Sequence, residues 1–149
     1  MSIVLPEGFQ YTTAAVVSTF WLTFYQTIRV SRARKAAKID YPQAYAEKAE
    51  AAASKEAQIF NCAQRAHQNT LEWLPQIIGS TFIVGLKYPY LAAAVCGTWT
   101  AARFLYTIGY ASGDPKKRNL FGAGYVNGLT MLTFVLGASS YTAYQLVTA

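Results

Sequence analysis

Residues 60–75 read Phe60-Asn61-Cys62-Ala63-Gln64-Arg65-Ala66-His67-Gln68-Asn69-Thr70-Leu71-Glu72-Trp73-Leu74-Pro75, and the chain then continues as QIIGSTFIVGL to residue 86. The second half is ordinary lipid-compatible sequence. The first half is not: it carries two charges, a histidine and several amides on what the run length predicts to be one membrane helix over 59–86. Pro75 separates the halves and is expected to bend that helix. Arg65, Asn69 and Glu72 stand at i, i+4 and i+7, which is one helical stripe. A charge at bilayer depth costs at least about 2.5–3.5 kcal/mol on insertion scales, so the stripe must face protein or water rather than lipid.

Three further apolar runs flank this one. Residues 9–30 (FQYTTAAVVSTFWLTFYQTIRV) hold a single charge, Arg29, at their far end, and about 20 residues at 1.5 Å each cross a hydrocarbon core of about 30 Å. The run is too long for a cleaved signal and the basic cluster follows it, so it reads as an uncleaved first helix. The turn Lys87-Tyr88-Pro89 leads to a third run over 90–111, and SGDPKKRN leads to a fourth over 120–147, whose glycines at 122, 124, 128 and 137 permit close helix packing. Between the first two runs, 31–58 is polar. Tyr41-Pro42 reads as an extended or turn element, and the Ala-, Glu- and Lys-rich 44–58 reads as solvated and helical in its later part. The expected fold is therefore all-α: one domain, residues 1–149, an integral membrane four-helix bundle with loops at 31–58 and 112–119.

Totals agree. The 149 residues are 53% hydrophobic, 15% aromatic and 13% charged, against about 25% charged in a typical soluble domain. Net charge is +6, but the cations collect in two short runs rather than over a surface. Arg32, Arg34, Lys35 and Lys38 follow the first run, and Lys116, Lys117 and Arg118 follow the third, whereas the opposite side has only Lys87. That asymmetry sets orientation, with both basic loops in the cytoplasm, and it argues against nucleic acid as a partner. The two cysteines lie inside apolar runs without a CxxC pair, and one histidine cannot build a metal cluster, so neither a disulfide framework nor a metal site is expected.

Orientation brings two polar stretches to one level. The polar half of 59–86 is its cytoplasmic half, and the third run ends in RFLYTIGY on the same side. Arg103, Tyr106 and Tyr110 stand at i, i+3 and i+7, a second stripe. Arg34, Arg65, Arg103 and Arg118 thus share one side, balanced by a single intramembrane acid, Glu72. Arg65 with Glu72 can be a packing pair, and Arg103 and Arg118 can snorkel to headgroups. As a set, a cationic, amide-lined and phenol-lined site suits an anionic polar ligand, because the planar guanidinium donates in pairs to carboxylates.

The elements Phe60-Asn61-Cys62, Gln64-Arg65-Ala66-His67, Asn69-Thr70-Leu71-Glu72 and Pro75 resemble the second helix of the MAPEG proteins. Arg103, Tyr106, Gly109-Tyr110 and Gly113-Asp114-Pro115-Lys116-Lys117-Arg118 resemble their third helix and the loop after it. The resemblance covers nearly the whole chain, including Ala33-Arg34-Lys35 and Tyr41-Pro42. It implies a homotrimer with glutathione as co-substrate at the subunit interfaces, no metal, and membrane lipids as surroundings. It implies conjugation of glutathione to a lipophilic electrophile and reduction of lipid hydroperoxides. By position, Arg65, Asn69, Glu72, Tyr106 and Tyr110 would hold the tripeptide, Arg34 and His67 would reach it from a neighbour, and Arg103 would support the site. Arg118 looks like the residue that stabilises the thiolate, with Lys117 beside it able to share that role. Trp73 stands where another member has a tyrosine that contacts glutathione, and His67 where that member has glutamine. The compartment implied is the endoplasmic reticulum, or alternatively the mitochondrial outer membrane. Two other readings remain: a non-catalytic lipid-binding scaffold of the same family, and a small channel or transporter, against which the apolar lumenal halves of the second and third runs argue.

Overall fold

The computed structural model describes residues 4–148; residues 1–3 and 149, which the single-domain reading includes, lie outside the described residues. The fold is all-α. Helix α1 is Phe9–Ala37, α2 is Lys48–Ala53, α3 is Lys55–Gly85 and α4 is Pro89–Tyr110. A 3-10 segment, Pro115–Gly122, precedes a C-terminal run made of α5 (Ala123–Thr130), a π-helical segment (Met131–Ala138) and α6 (Ser139–Val147). Helices α1, α3 and α4 pack against one another, and the C-terminal run lies on α4 and α3.

Local chemistry sets the boundaries. α1 continues past residue 30 because Ser31 to Ala37 contains nothing that breaks a helix, and Arg34 and Lys35 in its last turn oppose the helix dipole favourably. Lys38 ends it in the left-handed conformation, its N–H bonding back to the carbonyls of Arg34 and Lys35. The polar connection folds a short helix of its own, α2, capped reciprocally by Glu47 and Glu50. Ser54 then caps α3, accepting from the Ala57 N–H at 3.3 Å. α3 passes through Pro75 without ending. The last helical run starts at Ala123, not at 120, because Asn119, Leu120 and Phe121 leave helical geometry and both Phe121 and Gly122 take positive φ.

The interior mixes apolar and hydroxyl side chains. Leu22, Ile77, Cys96 and Trp99 form one fully buried cluster, while Thr12, Thr19, Gln26, Thr70, Thr81 and Thr107 are also fully buried. Phe20, Trp21, Phe24, Leu129, Leu132 and Leu136 face outward. An apolar exterior around a polar-containing interior reverses the arrangement of a water-soluble bundle and is consistent with a membrane location. Among the described residues, Pro115–Val147 is the helical run both long and apolar enough to cross a membrane by composition. α1, α3 and α4 have the length, about 1.5 Å per residue, but their mean hydropathy is lowered by charges and amides in α1 and α3 and by Arg103 with hydroxyl, aromatic and glycine positions in α4. Cys62 and Cys96 are free and buried.

Candidate functional site

The α3 stripe forms as the periodicity requires. Arg65 Nη1 donates to Glu72 Oε1 at 2.8 Å, and Asn69 Nδ2 donates to Glu72 Oε2 at 3.2 Å. The ion pair is not sealed: the Arg65 and Glu72 side chains are 45% and 40% exposed. This face presents one cation, one anion and several amides, Asn69 with exposed Gln68 and Gln76 along the same helix, to whatever lies beside it.

Behind the stripe lies a buried network that joins three helices. Arg103 of α4 is fully buried. Its Nη2 and Nε donate to Thr70 Oγ1 of α3 at 2.7 and 3.1 Å, and Nη2 also reaches the Ala66 carbonyl at 3.3 Å. The Thr70 hydroxyl donates onward to the same carbonyl at 3.0 Å. Gln26 of α1 donates through Nε2 to both Thr70 and Thr107, each at 2.8 Å. Arg103 Nη1 and Gln26 Oε1 have no partner among the described residues. The Arg103 guanidinium lies 4.0 Å from the Tyr106 ring centroid, a cation–π contact strengthened by burial. Tyr106 in turn meets Tyr110 edge-on, centroids 5.6 Å apart. Small residues Ala66, Ala102 and Ala123 let these rings settle between α3, α4 and α5.

Arg118 sits exposed in the 3-10 segment. Its neighbour Lys117 lies against Gly109 of α4, so the segment packs on the end of α4 that bears Tyr106 and Tyr110. Arg65, Asn69, Glu72, Arg103, Tyr106, Tyr110 and Arg118 therefore share one end of the molecule. A close approach fixes the segment: a Cβ on Gly109 would collide with the Lys117 carbonyl, and one on Gly124 with the Asn119 side-chain oxygen. The loop that bears Arg118 thus rests on one position that needs glycine, Gly109, where the obstacle is backbone; at Gly124 the Asn119 side chain can swing away. Asp114 opens the segment, its Oδ1 accepting from the Lys116 N–H at 3.0 Å.

Three of the expected residues stand apart. Arg34 is only 7% exposed and is spent on its own loop: Nη1 donates to the Gln43 carbonyl at 2.7 Å and to that of Ile39 at 3.4 Å. Its guanidinium lies 4.3 Å from the Tyr41 ring and 4.5 Å from Phe60. His67, two residues from Arg65, is half-buried on another face of α3. Trp73 is half-buried and packs on the Leu22–Ile77–Trp99 cluster. Within one chain, none of these three joins the Arg65 stripe. Gln26, Thr70 and Thr107 were not singled out in the sequence; the amide inside the apolar run 9–30 was the available signal for the first, while a buried threonine has none. Among the described residues, no three His, Cys, Asp or Glu side chains gather as metal ligands.

Fold and site together define a helical protein with an apolar exterior and a guanidinium-rich polar end. Residues 12–138 match the MAPEG family, and the chain belongs to it. At family level this associates the chain with glutathione-binding membrane proteins and gives it enzymatic potential.

Proposed function

We propose that the protein is a membrane-bound glutathione transferase and peroxidase, similar in character to microsomal glutathione transferase type 3. It would act as a trimer of four-span subunits in the endoplasmic reticulum membrane with its site facing the cytoplasm. The observation that carries this reading is the exposed Arg65–Asn69–Glu72 stripe backed by buried Arg103. Charged groups left open on an apolar exterior call for a polar occupant.

Glutathione supplies two carboxylates, one ammonium and one thiol, and the donor set fits each. Arg65 suits a carboxylate, Glu72 the ammonium, Asn69 the peptide groups, and Tyr106 and Tyr110 the remaining polar atoms. Arg34, His67 and Trp73 would enter the site only through a neighbouring subunit or a local rearrangement. Arg118 would lower the thiol pKa by stabilising the anion, and needs no proton of its own to move, because guanidinium stays charged. The thiol proton passes to water. The thiolate then forms a C–S bond to a lipophilic electrophile as its leaving group departs or, in leukotriene-C-synthase-like conjugation, as an epoxide C–O bond opens. With a lipid hydroperoxide from the bilayer it would attack the outer oxygen and break the O–O bond to release the lipid alcohol. That step leaves a glutathione sulfenic acid, which a second glutathione converts to disulfide and water.

Stopped-flow absorbance of the thiolate in purified protein tests this directly. Wild type should give a thiolate signal and turn over both a chloronitrobenzene and a fatty-acid hydroperoxide. Arg118→Ala should lose the signal while still binding glutathione. An unchanged amplitude in that variant would reject the role of Arg118. Lipid binding without turnover by wild type at saturating glutathione would replace the enzyme with the scaffold reading.

A further inference from the structure

A second cationic site lies away from the Arg65 stripe, where three helix ends converge. Arg29, Arg32 and Ala33 of α1, Ile59 and Ala63 of α3, and Ala111 just beyond α4 line a cavity of about 270 Å³. Its wall is apolar apart from two guanidinium groups, and no acidic residue lines it. Arg29 and Arg32 stand at i and i+3, so their side chains are neighbours on one helix face. Arg29 is tethered by a single long hydrogen bond, Nη1 to the Tyr25 hydroxyl at 3.4 Å, with the Tyr25 ring 5.8 Å away. Neither arginine takes part in an ion pair, the one among the described residues being Arg65–Glu72.

Depth and shape limit the occupant. The twenty steps from Phe9 to Arg29 rise about 30 Å, which sets Arg29 at the edge of the hydrocarbon core when 9–30 spans the bilayer. Arg32 lies one turn further out, at headgroup level. A free inorganic anion would leave the alanine and isoleucine wall unused. A zwitterionic lipid would bring its own cation against two arginines. We propose that this cleft binds the phosphate of an anionic phospholipid of the cytoplasmic leaflet, gripped by Arg29 and Arg32, with the lipid's apolar part against Ile59, Ala63 and Ala111. Basic pockets between helices on the cytoplasmic side recognise such headgroups by paired charge-assisted hydrogen bonds. The inference rests on the membrane and orientation parts of the proposed function, not on its chemistry.

The test uses the full chain in nanodiscs of phosphatidylcholine alone or with added phosphatidic acid, counting retained lipid by native mass spectrometry. Wild type should retain phosphatidic acid in preference to phosphatidylcholine. Arg29→Gln with Arg32→Gln should weaken retention by about twenty-fivefold, at about fivefold per arginine. Arg32→Gln alone changes an exposed side chain and leaves packing intact; about a fivefold loss there supports the proposal even if the double variant misfolds. Equal retention of the two lipids, or unchanged affinity in Arg32→Gln, overturns it. Displacement of the lipid by oleate or inorganic phosphate at equal concentration overturns the assignment of a phospholipid headgroup. Failure of wild type to enter either bilayer overturns this inference together with the membrane reading. A missing thiolate signal from protein that still retains phosphatidic acid would instead sink the transferase proposal alone.

Discussion

Arg65 and Arg103 lie on neighbouring helices, Arg103 reaching the Ala66 carbonyl beside Arg65, yet they occupy opposite environments. Arg65 pairs with a carboxylate at 2.8 Å on an open face. Arg103 is fully buried, has no carboxylate at contact distance among the described residues, and is held by a threonine hydroxyl, a backbone carbonyl and a tyrosine ring. The difference teaches that proximity to a site does not set a residue's role; access does. The open pair can exchange its internal partner for a ligand at small cost. The buried cation cannot leave, so it holds α3 and α4 in register and keeps the Tyr106 ring fixed.

The comparison breaks most readily at Arg103. Arg103→Ala removes three charge-assisted hydrogen bonds and strands the Thr70 network, so thermal unfolding in detergent should register a loss of about 3 kcal/mol or more. If the loss is no greater than for an alanine at Arg65, the contrast between the two arginines fails. Next comes the loop that bears Arg118. Gly109→Ala forces the Lys117 carbonyl away from α4, and a shift of about 1 Å should lower thiolate formation roughly tenfold to a hundredfold, with glutathione affinity changed far less. Gly97→Ala on the same helix meets no atom within 4 Å and serves as the control. Equal behaviour of the two glycine variants would separate Arg118 from its support. The smallest effect is expected at Arg65 itself. Arg65→Gln should cost no more than about 0.5 kcal/mol of stability, as an exposed substitution does. The same change should weaken glutathione binding roughly tenfold by equilibrium dialysis, the value of one charged hydrogen bond.

Much of this was legible in the residues. The spacing of Arg65, Asn69 and Glu72 predicted one stripe, and all three meet through Glu72. The spacing of Arg103, Tyr106 and Tyr110 predicted another, and their side chains touch in sequence along α4. The helical character of the later part of 31–58 was likewise readable from its alanines, glutamates and lysines. The roles of Arg34 and Gln26 were not. A basic residue at the end of an apolar run looks the same whether or not it staples its own loop, and within this chain Arg34 donates to the Gln43 carbonyl. Gln26 looks like one polar position among many until its amide is seen to bridge Thr70 and Thr107. Nor did the pattern at 112–122 disclose that Gly109 yields its missing side chain to the Lys117 carbonyl.

By itself the sequence determined where the long helical runs lie and the faces on which their charges fall. It could do so because a repeat of 3.6 residues relates side chains within one helix regardless of neighbours. Only the tertiary structure decided which guanidinium is buried and which is open, where Arg34 points, and how the Arg118 loop is held. Those outcomes depend on how each helix is rotated and how closely it approaches the next, which is settled by packing between segments distant in the chain.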